Sequence, residues 1–367
     1  MKPSRPDYIL IFTIAGLAFC GLIVLASASS FVAQNRFGSP YFYLFRQMTY
    51  GLAIGLVGFL ITQKLNYQIW KKAAVWILFA NIVLLILVFI PSFGFNYGGA
   101  NRWIHFGSFS FQPGELVKLS FILYLAAWLS SKQKEISDFS TGLVPFLTIT
   151  GGVGLLLMIQ PDIGTLGVLT ITAAMMYFAA GARLSHLFLI FGMGIGGLFG
   201  LIKIAPYRLN RLVSFLHPDV DPLGIGYQIT QATLAIGSGG IFGLGFGRSR
   251  QKYNYLPEVF GDSIFAIFAE EMGFIAAIIL ISLFLLLALR GFRIAKNTPD
   301  LFGKYAAIGI TCWIAVQAFV NIAAISGLIP LTGIPLPFVS YGSSALAVNL
   351  IAVGILVNIS KSASHKY

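Results

Sequence analysis

Charge is what this sequence lacks most. Only 10% of its 367 residues are Asp, Glu, Lys or Arg, against 57% hydrophobic residues and a mean hydropathy of +0.85, where a soluble domain carries about a quarter charged residues. That scarcity excludes an ordinary water-soluble enzyme, and the hydrophobicity excludes a disordered chain. Cysteine is nearly absent too. Cys20 and Cys312 both lie in apolar runs, which excludes a disulfide framework and argues against a cysteine-based metal site. The four histidines, His105, His186, His217 and His365, are scattered and assemble no metal cluster. Glycine and proline are plentiful but show no three-residue period, so a collagen-like chain is excluded as well.

What is present is a succession of long apolar runs, at 8–28, 47–61, 73–90, 116–129, 143–159, 163–180, 187–204, 264–289, 305–326 and 345–359. About 20 apolar residues in helical conformation cross a bilayer core of about 30 Å. The expected architecture is an all-α polytopic membrane protein of about ten transmembrane helices, forming one membrane domain over residues 1–367. The run at 8–28 is too long for a signal-peptide core and is read as the first helix. The longest connection, about 203–261, joins helices seven and eight and exceeds ordinary loop lengths, which marks it as functional.

A net charge of +12 would suggest nucleic acid in a soluble protein. Here it resolves into orientation. With both termini cytoplasmic, the inner segments carry +10 and the outer and intramembrane residues together only +2, as expected when basic residues are retained in short cytoplasmic loops. The 203–261 loop is then extracytoplasmic. Of the twelve acids, eight face outward or enter the membrane: Glu115, Asp162, Asp219, Asp221, Glu258, Asp262, Glu270 and Glu271. Chemistry that needs a carboxylate would lie at that outer interface.

Glu115 and Lys118 stand three apart in the fourth apolar run, on one helix face. Their spacing fits an internal ion pair, and it also fits a cation that meets an anionic substrate. Asp262 stands where the long loop meets helix eight, a position suited to an N-cap or to a base at the interface. Glu270 and Glu271, two turns deeper, need partners and are expected to pair with a basic group on a neighbouring helix. The glycine-rich stretch 237–247 runs into Arg248, Arg250 and Lys252. It fits neither a dinucleotide fingerprint nor a Walker loop. It reads either as an amide nest with cations for a phosphate group or as a flexible turn near lipid headgroups. The segment 328–342, with Pro330, Pro335 and Pro337, cannot be continuous helix and is expected to wall an outward-facing site.

Taken in order, Asn101-Arg102-Trp103-Ile104, Phe111-Gln112-Pro113-Gly114-Glu115 with Lys118, Gln160-Pro161-Asp162-Ile163-Gly164-Thr165, Gly226-Tyr227-Gln228, Leu256-Pro257-Glu258, Asp262, Glu270-Glu271-Met272-Gly273 and Pro337-Phe338-Val339-Ser340-Tyr341-Gly342 resemble the SEDS family of bacterial shape, elongation, division and sporulation proteins. The resemblance covers nearly the whole chain, and the proline-rich turn leans toward the FtsW branch over RodA. It implies a peptidoglycan glycosyltransferase that polymerises lipid II on the outer face of the bacterial cytoplasmic membrane. It implies a class B penicillin-binding transpeptidase partner, and other membrane proteins of division or elongation. It also implies Asp262 as the catalytic base, with undecaprenyl diphosphate as the leaving group.

Substrate contacts are then expected from Arg102, Gln112, Lys118, Arg211, Arg248, Lys252, Glu258 and Ser340, and a divalent cation, Mg2+ or Mn2+, could stand in for part of that positive charge. The competing readings are a lipid II flippase and a non-catalytic scaffold. Two departures adjoin the expected base: Phe260-Gly261 replaces the family's usual His-Thr, and Ser263 replaces the usual Phe. Further on, Gly114 replaces a Ser and Ser343 a Gly.

Overall fold

The computed structural model describes residues 5–90, 93–97, 100–106, 109–204, 213–216 and 224–363. The apolar runs are helices: α1 Tyr8–Ala28, α3 Phe42–Thr62, α4 Gln68–Leu87, α5 Pro113–Ser131, α6 Phe139–Ile159, α7 Ile163–Ala179, α8 Leu184–Ile204, α10 Ile264–Asn297, α11 Leu301–Ile325 and α12 Ser343–Ser360, with a short α2 at Ser30–Phe37. Among the described residues eight are long and apolar enough to cross a membrane. α7 and the Leu184–Gly197 part of α8 are shorter apolar helices. Helix is the form such runs must take, because hydrocarbon offers backbone N–H and C=O groups no other partner. Aspartate starts several of them. Asp7, Asp138, Asp162 and Asp300 accept from backbone N–H groups in the first turns of α1, α6, α7 and α11, and Pro113 opens α5.

α11 and α12 are the most enclosed helices and pack with α5 at the centre of the bundle. At one end, buried Asp7 pairs with Arg290 at 2.7 Å, and Asn358 and Lys361 both donate to the Gln63 carbonyl at 2.7 Å. The other end carries Asp262. There the connection between α4 and α5 departs from the all-α expectation by forming a small antiparallel sheet, β1 Gly94–Tyr97, β2 Ala100–Phe106 and β3 Phe109–Phe111. Its aromatic and β-branched residues favour pleated backbone. The long connection is not plain loop either, because it contains α9, Ile225–Ser238, packed on α10.

α10 is broken. Gly273, with φ +80 and ψ −178, divides it into an outer segment up to Met272 and a long inner one. The residues after α9 fold into that break as a re-entrant turn. The N–H groups of Leu244 and Gly245 donate to the Glu270 and Glu271 carbonyls at 3.0 Å, and those of Phe274 and Ile275 donate to the Gly240 and Ile241 carbonyls. Backbone freed by the break is thus satisfied by protein, as its depth requires. Glycine is obligatory here, since a Cβ on Gly239, Gly243 or Gly273 would run into the facing backbone.

Candidate functional site

Asp262 stands two residues before the first residue of α10. The N-cap is Ser263, which makes no side-chain cap bond. The Asp262 carboxylate lies 3.4 Å from Gln228 Nε2 of α9 and 3.4 Å from Ser263 Oγ, while Gln228 also donates to Ser263 Oγ at 3.1 Å. Gln228 and Ser263 are thus the polar side chains next to the Asp262 carboxylate, where Phe260-Gly261 offers none. The Asp262 backbone is fixed from α11: Asn321 Nδ2 donates at 2.8 Å to both the Asp262 and the Ile334 carbonyls. One amide group therefore clamps the start of α10 to the proline-rich turn, and Asp262 faces Gly333 of that turn.

Two cavities of about 390 and 350 Å3 share Arg36, Glu258 and Phe260 among their lining residues, and Asp262 is next in the chain to Gly261 of the larger without itself lining either. The larger is lined by Arg36 and Arg46, by an aromatic wall of Tyr43, Tyr50, Trp103, Phe260 and Tyr341, and by Gly261, the residue before Asp262. Tyr43 stacks on Phe260 with centroids 4.4 Å apart and meets Tyr341 edge-on at 5.0 Å. Arg46 lies 5.6 Å from the Phe42 ring centre and 5.9 Å from that of Tyr50. Burial pushes the Tyr341 phenol above its usual pKa, which keeps it neutral. The Tyr341 N–H donates to the Phe260 carbonyl at 2.8 Å, and Gln47, in a π-helical stretch of α3, grips Ser340 O and Gly342 N. Such an arrangement can stack a sugar ring on aromatic faces and hold an anion on two guanidinium groups.

The expected site residues divide. Glu258 lines both cavities, in a left-handed conformation at φ +50 that is costly for a non-glycine residue. Arg248 is exposed on the re-entrant turn. Arg211 lies outside the described residues. Lys118 does not face the cavity. It is buried, paired with Glu115 at 2.8 Å, bonded to Gln317 Oε1 at 2.9 Å and 5.2 Å from the Trp313 ring centre. Gln317 passes the connection on by donating to the Pro335 carbonyl at 2.9 Å. Arg102 is turned to the Gln160 and Pro161 carbonyls. Ser340 Oγ accepts the Leu336 N–H within its own turn, and Gln112 meets Ser344 through its backbone N–H.

Lys252 is likewise spent internally. It pairs with Glu271 of α10 at 3.1 Å, so the basic partner of that acid comes from the re-entrant turn, where one on a neighbouring helix was expected. The backbone amides of 249–251 do form an anion nest, but Glu270 and Glu271 fill it, leaving no room there for a phosphate. Among the described residues no three His, Cys, Asp or Glu side chains converge as a metal site.

Arg36, Arg46, Gln228, Gln317 and Asn321 were not singled out as site residues. A signal for two of them exists: Trp313, Gln317 and Asn321 recur every four residues on one face of an otherwise apolar helix.

The comparisons agree with this architecture. The profile of the FtsW/RodA/SpoVE family, described as cell cycle proteins, matches residues 8–365. Stage V sporulation protein E of Bacillus subtilis (strain 168) is 44% identical over 360 residues, covering 98% of both chains. A probable peptidoglycan glycosyltransferase FtsW of Trichlorobacter lovleyi is 41% identical, covering 98% of this chain and 95% of its own. Among solved structures, a chain of a peptidoglycan synthase complex that coordinates polymerization and crosslinking superposes with a TM-score of 0.77 at 28% identity, covering 97% of each chain. The Thermus thermophilus rod shape determining protein RodA superposes with a TM-score of 0.72 at 27% identity, covering 98% of each. With a family profile spanning nearly its whole length and a relative this similar along all of it, the chain belongs to the FtsW/RodA/SpoVE family.

Proposed function

We propose that this multi-pass membrane protein is a peptidoglycan glycosyltransferase that joins lipid II units into glycan strands at the outer face of the bacterial cytoplasmic membrane. Its relatives' names support the activity. The observation that carries the assignment of Asp262 is its place: it directly follows Gly261, which lines the cavity with two arginines and an aromatic wall, and its carboxylate is met by Gln228 of α9 and by Ser263. The positive-inside distribution of Lys and Arg supports an extracytoplasmic site.

In this mechanism the Asp262 carboxylate takes the proton of the acceptor sugar hydroxyl, whose oxygen attacks the anomeric carbon of the donor. The bond from that carbon to the diphosphate oxygen breaks with inversion, and the lipid diphosphate leaves as an anion. A glycosidase needs a second carboxylic acid to protonate a poor leaving group. A diphosphate needs none, only positive charge where its negative charge develops. Arg36 and Arg46 line the cavity where that charge would be met. Gln228 and Asn321 hold the base in place, so positioning carries much of the effect.

A class B penicillin-binding transpeptidase is the proposed partner, supported by the likeness to a chain of a polymerizing and crosslinking synthase complex. Purified protein with that partner is expected to convert lipid II into polymer. Transfer of lipid II across liposome membranes with no polymer formed would refute the enzyme reading in favour of a flippase.

A further inference from the structure

Glu270, Glu271 and the turn that wraps them take part in no step above, yet they form a dense buried cluster. Glu270 accepts the Ser249 hydroxyl and the N–H groups of Arg250 at 2.9 Å and Gln251 at 3.4 Å. Glu271 Oε1 accepts from Ser27 Oγ of α1 at 2.7 Å, Ser249 N at 3.2 Å and Lys252 Nζ at 3.1 Å. Lys252 also donates to Ser27 Oγ at 3.0 Å and to the Gly247 carbonyl at 2.6 Å. Ser27, Ser249, Lys252, Glu270 and Glu271 are all buried.

Adhesion alone does not require such a cluster, because apolar packing of the same volume holds elements together at least as well. What directional bonds add is a fixed rotation and depth. The piece they fix is the outer segment of α10, which Gly273 disconnects from the rest of its helix and whose other end begins just after Asp262. Asp262 stands nine positions before Glu271, about 13 Å at a helical rise of about 1.5 Å per residue, so a tilt of about 5° at the break would carry Asp262 by about 1 Å. A displacement of that size is enough to cost about 100-fold in rate.

We propose that Ser249, Lys252, Glu270 and Glu271 are positioning residues for Asp262: the re-entrant turn sets the angle of the half-helix that presents the base. This rests on the reading of Asp262 as the base. The test measures kcat and KM for polymerisation of lipid II by the full-length protein with its transpeptidase partner, together with thermal midpoints. The central variant is the double substitution Lys252→Met with Glu271→Gln, which removes both charges at similar volume. It is expected to keep its thermal midpoint within a few degrees and its KM within about twofold, while kcat falls about 30- to 100-fold. Lys252→Met alone, which leaves Glu271 charged and unpaired, is expected to lose folded protein.

A double variant with kcat within about threefold of wild type overturns the proposal, and so does one whose KM rises about tenfold at unchanged kcat, which would mean contact with substrate. If the double variant does not fold, Ser249→Ala decides. A kcat reduced about tenfold at unchanged KM and thermal midpoint supports positioning, and an unchanged kcat overturns it. Asp262→Asn runs alongside: full activity in that variant removes the base assignment itself, whereas its inactivity beside an active double variant removes only the positioning role.

Discussion

Asp7, Asp138, Asp162 and Asp300 end their side chains on helix N-termini, whereas the Asp262 carboxylate, one residue before a helix N-cap, is met by Gln228 and Ser263 side chains. On the proposed function Asp262 is the chemical aspartate of the five. The residues that hold Asp262 should then matter as much for rate as for stability. Asn321→Leu removes the amide that donates to both the Asp262 and the Ile334 carbonyls. It should cost about 1–3 kcal/mol of stability and lower kcat with little change in KM, as steady-state polymerisation would read. Arg46→Ala should lower kcat by about 100-fold if its guanidinium meets developing negative charge, and a change confined to KM would argue for ground-state binding only. For the buried Glu115 and Lys118 pair, removing either partner alone should destabilise by about 3–5 kcal/mol, and removing both should cost less than the sum, which denaturation of the three variants would test.

The Glu115–Lys118 pair is legible in the sequence, because two opposite charges three residues apart interrupt an apolar run. The pairing of Lys252 is not, since its sequence neighbourhood resembles a phosphate-binding turn while its real partner, Glu271, lies 19 residues further on.

At the scale of elements, helices follow directly from long apolar runs, and each of the ten expected runs falls on a helix of the described residues, with ends shifted by up to eight residues. Three features escaped that reading for physical reasons. α9 is short and mixes polar with apolar residues, so no apolar run announces it. The sheet is held by pairing between strands of three to seven residues, which periodicity does not resolve. The break at Gly273 follows Glu270 and Glu271 in a stretch that otherwise reads as one apolar helix, and only the backbone of the re-entrant turn reveals why the helix stops there. Gly273→Ala should therefore be severely destabilising, since it combines φ +80 with a Cβ directed into the Gly243 backbone nitrogen. Gly197→Ala, where a Cβ meets open space on exposed α8, should leave the thermal midpoint nearly unchanged.

For the whole molecule, a chain with so few charges distributes them unevenly: under the proposed topology the basic residues fall mainly in short inner segments, and a nearly balanced set is left for the outer and intramembrane ones. With both termini inside, a reporter fused to the C-terminus that is active only in the cytoplasm should give signal, and one that is active only outside should give none. The central claim is that Asp262 acts as a base while cavity arginines receive the leaving diphosphate. Its most direct test is single-turnover polymerisation of saturating lipid II by wild type and by Asp262→Asn, with lipid II binding measured on the same samples. The account predicts unchanged binding and a rate lower by about 100- to 10,000-fold; an Asp262→Asn protein that binds and polymerises like the wild type would contradict it.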